Sequence, residues 1–161
     1  MKPIMLATDG SPSAEAATRE AIDLAGQLGV PLLAVSVEHT SVPVYGFYGY
    51  GEIVTELRKA EHERVEQLLE VLQKRAAEAG IECETLPLEG LPARSLCEVA
   101  VAHDVRLIII GAHGWNRVGR LIHGSVSTYV LHHAPVPVLV VHGDDEAVVE
   151  GPMAATTTAA V

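Results

Sequence analysis

The sequence predicts an α/β protein: one doubly wound domain, a five-stranded parallel sheet with helices on both faces. Three observations carry this expectation. Short apolar runs alternate with segments of helical period in the order β-α-β-α-β-α-β-α-β, a pattern that implies a parallel sheet joined by right-handed crossovers. Hydrophobic residues make up 48% of the chain and aromatic residues only 4%, so Val, Ile, Leu and Ala must fill the core. The length, 161 residues, suits a single domain with a core of ordinary size. No internal repeat at a solenoid period is present.

The elements follow in order. PIMLAT, residues 3–8, reads as a short buried strand. Ser11 is placed to cap a helix with Pro12 at its first position. Ala14, Ala17, Ala21, Leu24, Ala25 and Leu28 keep helical spacing, and Gly29 supplies the stop. PLLAVSV, residues 31–37, is the second strand. A loop rich in Tyr and Gly follows, and Tyr45–Tyr50 within it reads equally as a lid or as a packing surface. The long helix is expected from Glu52 to Ala79, with Ile53, Leu57, Ala60, Arg64, Leu68, Leu72 and Ala76 as its stripe and Gly80 as its end. IECETLPL, residues 81–88, alternates in polarity, which marks a half-exposed edge strand. The third helix spans Pro92–His103. Arg106–Ile110 is the most apolar strand. Ser125–His133 is the fourth helix, stopped by Pro135, and Pro137–His142 is the last strand. Residues 143–161 show no period and read as a flexible tail, leaving 1–142 as the domain.

The net charge is −10, which argues against nucleic-acid or anionic-membrane binding. No apolar run approaches the roughly 20 residues of a membrane span. The N-terminus lacks the layout of a signal peptide, so a cytoplasmic protein is expected. Cys83 and Cys97 lack metal-like spacing and read as thiols of a reducing compartment. The distribution of charge is more telling than its total. Of 21 acidic residues, none lies between Val105 and Gly143, while that stretch holds Arg106, Arg117 and Arg120.

Within it lies GAHGWNRVGRLIHGS, residues 111–125. Gly111 and Gly114 follow the fourth strand, and Gly124 and Ser125 open the fourth helix, giving G-x2-G-x9-G-S. Glycines let a backbone approach a ligand closely. A helix N-terminus offers free N–H groups and partial positive charge, a natural anion site. Ser125, Ser127 and Thr128 add hydroxyls, and the absence of acid avoids repelling phosphate. The segment therefore reads as a phosphate cradle; the plainer alternative is a glycine-rich turn before a capped helix. It is neither a P-loop, since no Lys follows Gly124, nor the G-x-G-x-x-G of dinucleotide folds.

This motif, followed by VSTYVLHHAPVPVLVV, and the opening PIMLATDGSPSAEAA resemble the universal stress protein family, in its ATP-binding branch. The resemblance runs from Met1 to about His142. It implies a Rossmann-like sheet of order 3-2-1-4-5, a homodimer, and ATP as ligand with or without Mg2+. By position it implies that Asp9 faces the base and ribose with the Ala7 main chain nearby, and that Val35 offers main-chain hydrogen bonds to adenine. It also implies that Gly111, Ala112, His113 and Gly114 wrap the ribose and phosphates, and that Gly124, Ser125, Val126 and Ser127 hold the phosphates from the helix start. His123 departs from the family pattern, which has an apolar residue there. Strands one and four of that order flank the switch point where such sheets bind ligands.

Several of these residues carry a second reading. Asp9 also suits a turn that bonds its own backbone. Arg117 is a phosphate partner or a solvated charge. His132 and His133 point about 100° apart on a helix, a poor chelate, and no metal is expected. No carboxylate pair or Ser-His-Asp order is evident, so no catalytic residue is assigned. The reading is a nucleotide-dependent switch or partner-binding module in stress response. The alternatives are a slow ATPase or self-phosphorylating enzyme, with Ser125 and Ser127 as phosphosites, and a dimeric module for AMP or cyclic AMP. The last strand, Pro137–His142, is too apolar for an open edge and is the expected dimer contact. No downstream protein partner is assigned.

Overall fold

The structure is a computed structural model that describes residues 1–38, 51–112 and 125–143. Its strands are β1 (Ile4–Ala7), β2 (Leu32–Glu38), β3 (Cys83–Glu89), β4 (Leu107–Gly111) and β5 (Val138–Val141), and its helices are α1 (Pro12–Leu28), α2 (Gly51–Glu78), α3 (Pro92–Ala102) and α4 (Ser125–His133). The sheet order is β3-β2-β1-β4-β5, and every neighbouring pair is parallel. The chain moves outward from β1 to β3, then returns to the other side of β1 with β4. The carboxyl ends of β1 and β4 therefore border the switch point.

Alternation along the strands divides the core into two layers. Ile4, Leu6, Leu32, Ala34 and Ile109 face α1 and α2, against Ala17, Ala21, Ala25, Val65, Leu69, Leu72 and Ala76. Met5, Ala7, Leu33, Val35, Ile108 and Ile110 face the other side, against Leu96, Val99 and Ala100 of α3 and Val130 of α4. β1 is buried along its whole length, as a central parallel strand must be. β3 alternates between half-buried and exposed residues, as its polarity pattern predicts for an edge.

The capping signals act as read. Ser11 accepts from Ala14 N–H across the first turn of α1, and Pro12 occupies the first turn. Gly29 closes the helix at φ +62°, a conformation that suits glycine.

The stripe of α2 is offset from the expected one. Its buried residues are Val65, Leu69, Leu72 and Ala76, while Arg64 and Leu68 only flank them and Leu57 is exposed. Length explains this. A helix of 28 residues is about 42 Å long, whereas β2 has 7 residues and spans about 23 Å. α2 enters from beyond the carboxyl edge of the sheet, so its buried stripe begins only at Val65.

Candidate functional site

The candidate site lies at the carboxyl edge, where β1 and β4 end side by side and the start of α4 docks on the end of β4. The β1 turn is built by its own polar groups. Thr8 N–H donates to the Val35 carbonyl at 2.9 Å, the last rung between β1 and β2. Gly10 N–H turns back to Thr8 Oγ1 at 3.3 Å, and Gly10 takes φ +77°, which favours glycine. Ser11 N–H donates to Asp9 Oδ1 at 2.9 Å. The turn reading of Asp9 is thus realised, and its side chain remains half-buried at the rim.

Val35 sits deeper than the resemblance implies for a base-reading residue. It is fully buried opposite Ala7, and its carbonyl is engaged by Thr8. Alternate residues of a strand direct their main-chain groups to the same neighbour. Val37 is therefore the next residue of β2 to face the β1 side. A continued ladder would bring Gly10 N–H to it, but that group bonds Thr8 instead. The main chain of Val37 stands beyond the end of β1, on the open edge.

Gly111 ends β4 rather than following it. A Cβ there would lie 2.7 Å from Ser13 C and 2.8 Å from Ala14 N. Contact with the first turn of α1 accounts for the glycine, with no ligand needed to explain it. Ala112 is fully buried; its N–H donates to the Val141 carbonyl at 2.8 Å, and its carbonyl accepts from Ser127 Oγ at 3.1 Å. The Ser127 hydroxyl, 2% exposed, is thus spent on docking α4 to β4. Val126 packs on the α3–α4 side of the core, and Ser125, the first residue of α4, is exposed.

The amino ends of two helices therefore flank Gly111 and Ala112: α1 through Ser13, α4 through Ser127. The first N–H groups of each lack intrahelical acceptors, and the helix dipoles add positive potential there. Ser11 satisfies one such donor of α1; α4 presents Ser125, Val126 and Ser127 at its opening. The site is suited to an anion. His113, Gly114, Arg117 and Gly124 lie outside the described residues, as do Arg120, His123 and the Tyr45–Tyr50 loop.

Two features of α2 were not legible from its pattern. Arg64 donates from Nη1 to the Asp9 carbonyl at 3.3 Å and forms an ion pair with Glu61; a charge within an apolar stripe, three residues after Glu61, was the available signal. His62 bonds buried Glu38 at the end of β2 and lies 3.3 Å from Glu66. The hydrogen bond to Glu38, and then its charge, raise the His62 pKa, with Glu66 and Glu89 adding to the effect. On α4, His133 Nδ1 donates to the Tyr129 carbonyl at 2.8 Å and its ring stacks on Tyr129. Among the described residues no His, Cys, Asp or Glu group is arranged to hold a metal.

The family model of the universal stress proteins matches residues 1–142. The chain belongs to the universal stress protein family. It is 34% identical over 142 residues to a universal stress protein of Methanocaldococcus jannaschii, covering 87% of this chain and 81% of that one. The structure of the universal stress protein UspA from Lactobacillus plantarum superposes with a TM-score of 0.78 at 29% identity, covering 87% of this chain and 97% of that one. A universal stress protein from Archaeoglobus fulgidus, determined in complex with dAMP, superposes with a TM-score of 0.57 at 25% identity, covering 88% and 98%. The family match ends one residue before the expected tail; beyond Gly143 the chain lies outside the described residues. Among the described residues no helix is long and apolar enough to cross a membrane.

Proposed function

We propose that this protein is an adenine-nucleotide-binding regulator of the stress response, with ATP as its ligand, whose occupancy biases conformation or partner choice. The observation that carries this reading is the bond from Ser127 to Ala112, which sets the α4 amino end on the β4 side of the switch point, while the Asp9 turn closes the neighbouring β1. The helix start suits the phosphates through the N–H groups of Ser125, Val126 and Ser127. Asp9 suits the ribose hydroxyls as an acceptor, and the main chain of Val37 suits the base. The dAMP complex of the Archaeoglobus fulgidus relative supports an adenine nucleotide in this fold. The acid-free loop with Arg117 and Arg120 favours several phosphates over one, with Mg2+ as an optional counter-ion.

The chain works as a binding module rather than as an enzyme. Self-phosphorylation at Ser127 is disfavoured by the burial of its hydroxyl and its bond to Ala112. Ser125, which is exposed, is the better acceptor for that alternative. The protein acts in the cytoplasm as a homodimer that pairs through Pro137–His142. Support comes from β5, an edge strand whose four aliphatic residues are all only half-buried.

The deciding experiment is to purify the protein without added nucleotide, denature it and identify what is released by mass spectrometry. ATP is the expected species. AMP or cyclic AMP would favour a monophosphate module. Nothing released, with no ATP binding by calorimetry, would sink the site. Brisk, saturable ATP turnover lost in Ser125→Ala would replace the regulator with an enzyme. A clean monomer at micromolar concentration in the ultracentrifuge would refute the dimer.

A further inference from the structure

The overhanging half of α2 brings a cation to the Asp9 turn. Arg64 stands where the helix leaves the sheet, one residue before fully buried Val65. Its Nε and Nη2 donate to the two carboxylate oxygens of Glu61 at 2.9 and 2.8 Å. That fork fixes the plane of the guanidinium. Nη1 is left directed at the Asp9 carbonyl, 3.3 Å away and 55 residues distant in sequence. The next turn of α2 extends the contact, since a Cβ at Gly10 would lie 3.5 Å from both Leu68 methyl carbons.

Thr8 N–H ties the start of the turn to Val35 of β2, and the bonds from Gly10 N–H to Thr8 and from Ser11 N–H to Asp9 are local. Local bonds shape the outer part of the turn; they do not set its height against α2. The bond from Arg64 does. A half-exposed i,i+3 ion pair alone contributes little, so the pair with Glu61 matters here chiefly for aiming the guanidinium.

We propose that Arg64 is a positioning residue for the nucleotide site, holding the Asp9 main chain so that the Asp9 side chain meets the ribose. The inference rests on the adenine-nucleotide reading above. The test is calorimetric titration of the full chain with AMP, ADP and ATP, comparing wild type, Arg64→Met, Asp9→Ala and the double variant.

Arg64→Met is expected to weaken all three nucleotides by the same factor, about fivefold, the worth of one ordinary hydrogen bond. Arg64→Lys, which keeps a donor, recovers part of the loss. In the Asp9→Ala background Arg64→Met has no further effect, since residues acting through one another are not additive. A loss that grows with the number of phosphates overturns the proposal, because Arg64 would then touch phosphate itself. Full additivity with Asp9→Ala overturns it as well. Should Arg64→Met fail to fold, Glu61→Gln, which releases the guanidinium from its fork, and Arg64→Lys carry the same comparison. Wild-type binding with no loss in the variants refutes this inference alone; no binding by wild type refutes the site reading beneath it.

Discussion

The hydroxyl of Ser127 donates to the carbonyl oxygen of Ala112 at 3.1 Å, joining the first turn of α4 to the end of β4. Both residues are buried, so the bond is shielded from water and the acceptor has no solvent to fall back on. Its effect is to fix where the amino end of α4 lies against the sheet edge. The free N–H groups of that amino end can serve an anion at the switch point only in that placement.

Removing the hydroxyl should therefore be felt. Ser127→Ala leaves a buried carbonyl short of a partner, a loss of about 1–3 kcal/mol, measurable by urea denaturation. Ser125→Ala, at an exposed position, should change stability by no more than about 0.5 kcal/mol. Equal effects in the two variants would mean that the Ser127 bond does not anchor the helix.

A second structural constraint concerns Gly111. A methyl group there would press on the Ser13 and Ala14 main chain at 2.7–2.9 Å, and a backbone cannot rotate away as a side chain can. Gly111→Ala should cost about 1–3 kcal/mol, as overpacked cores do, and should lower the thermal midpoint in the absence of any ligand. A variant as stable as wild type would return the glycine to the role of ligand approach.

The parallel sheet with helices on both faces was legible because buried parallel strands leave continuous apolar runs between helical segments, as LIII does in β4, whereas the strand order came from the family resemblance. Helix ends were legible at Ser11 and Gly29 because a cap or a positive φ calls for particular residues. The site was legible only in part. A pattern of glycines and hydroxyls does not distinguish backbone pressed against ligand from backbone pressed against protein, and Gly111 is pressed against the first turn of α1. Nor does it reveal whether a serine proton is already committed, as in Ser127. Arg64 was hidden because a stripe is read to the nearest residue, and α2 outruns the sheet that defines its buried face.

Ser36 offers a test of the opposite sign. Its hydroxyl is buried in β2 with no hydrogen-bond partner among the described residues, and a desolvated hydroxyl without a partner costs stability. Ser36→Ala should leave the protein equally stable or more stable by about 1 kcal/mol. A loss of that size would show that the hydroxyl is satisfied in solution.

The pair of His62 and Glu38 makes stability depend on pH in a defined direction. Contact with Glu38 raises the pKa of His62 above its ordinary 6.5, with Glu66 on the same helix and Glu89 at the end of β3 reinforcing it. A group held more basic in the folded state stabilises that state most when it is protonated in both states. The contribution is therefore complete below about pH 6.5, the unfolded value, and fades as pH rises through the raised folded value. At higher pH the neutral ring still donates one hydrogen bond to Glu38 but no longer carries the charge that draws α2 to β2. Other groups titrate over the same range, so the readout is the difference between wild type and His62→Gln. That difference in unfolding free energy should be larger at pH 5.5 than at pH 9, and added salt should reduce it because His62 is about half exposed. A difference that is flat across this range, or that grows toward alkaline pH, would show that the ring does not gain a charge partner on folding.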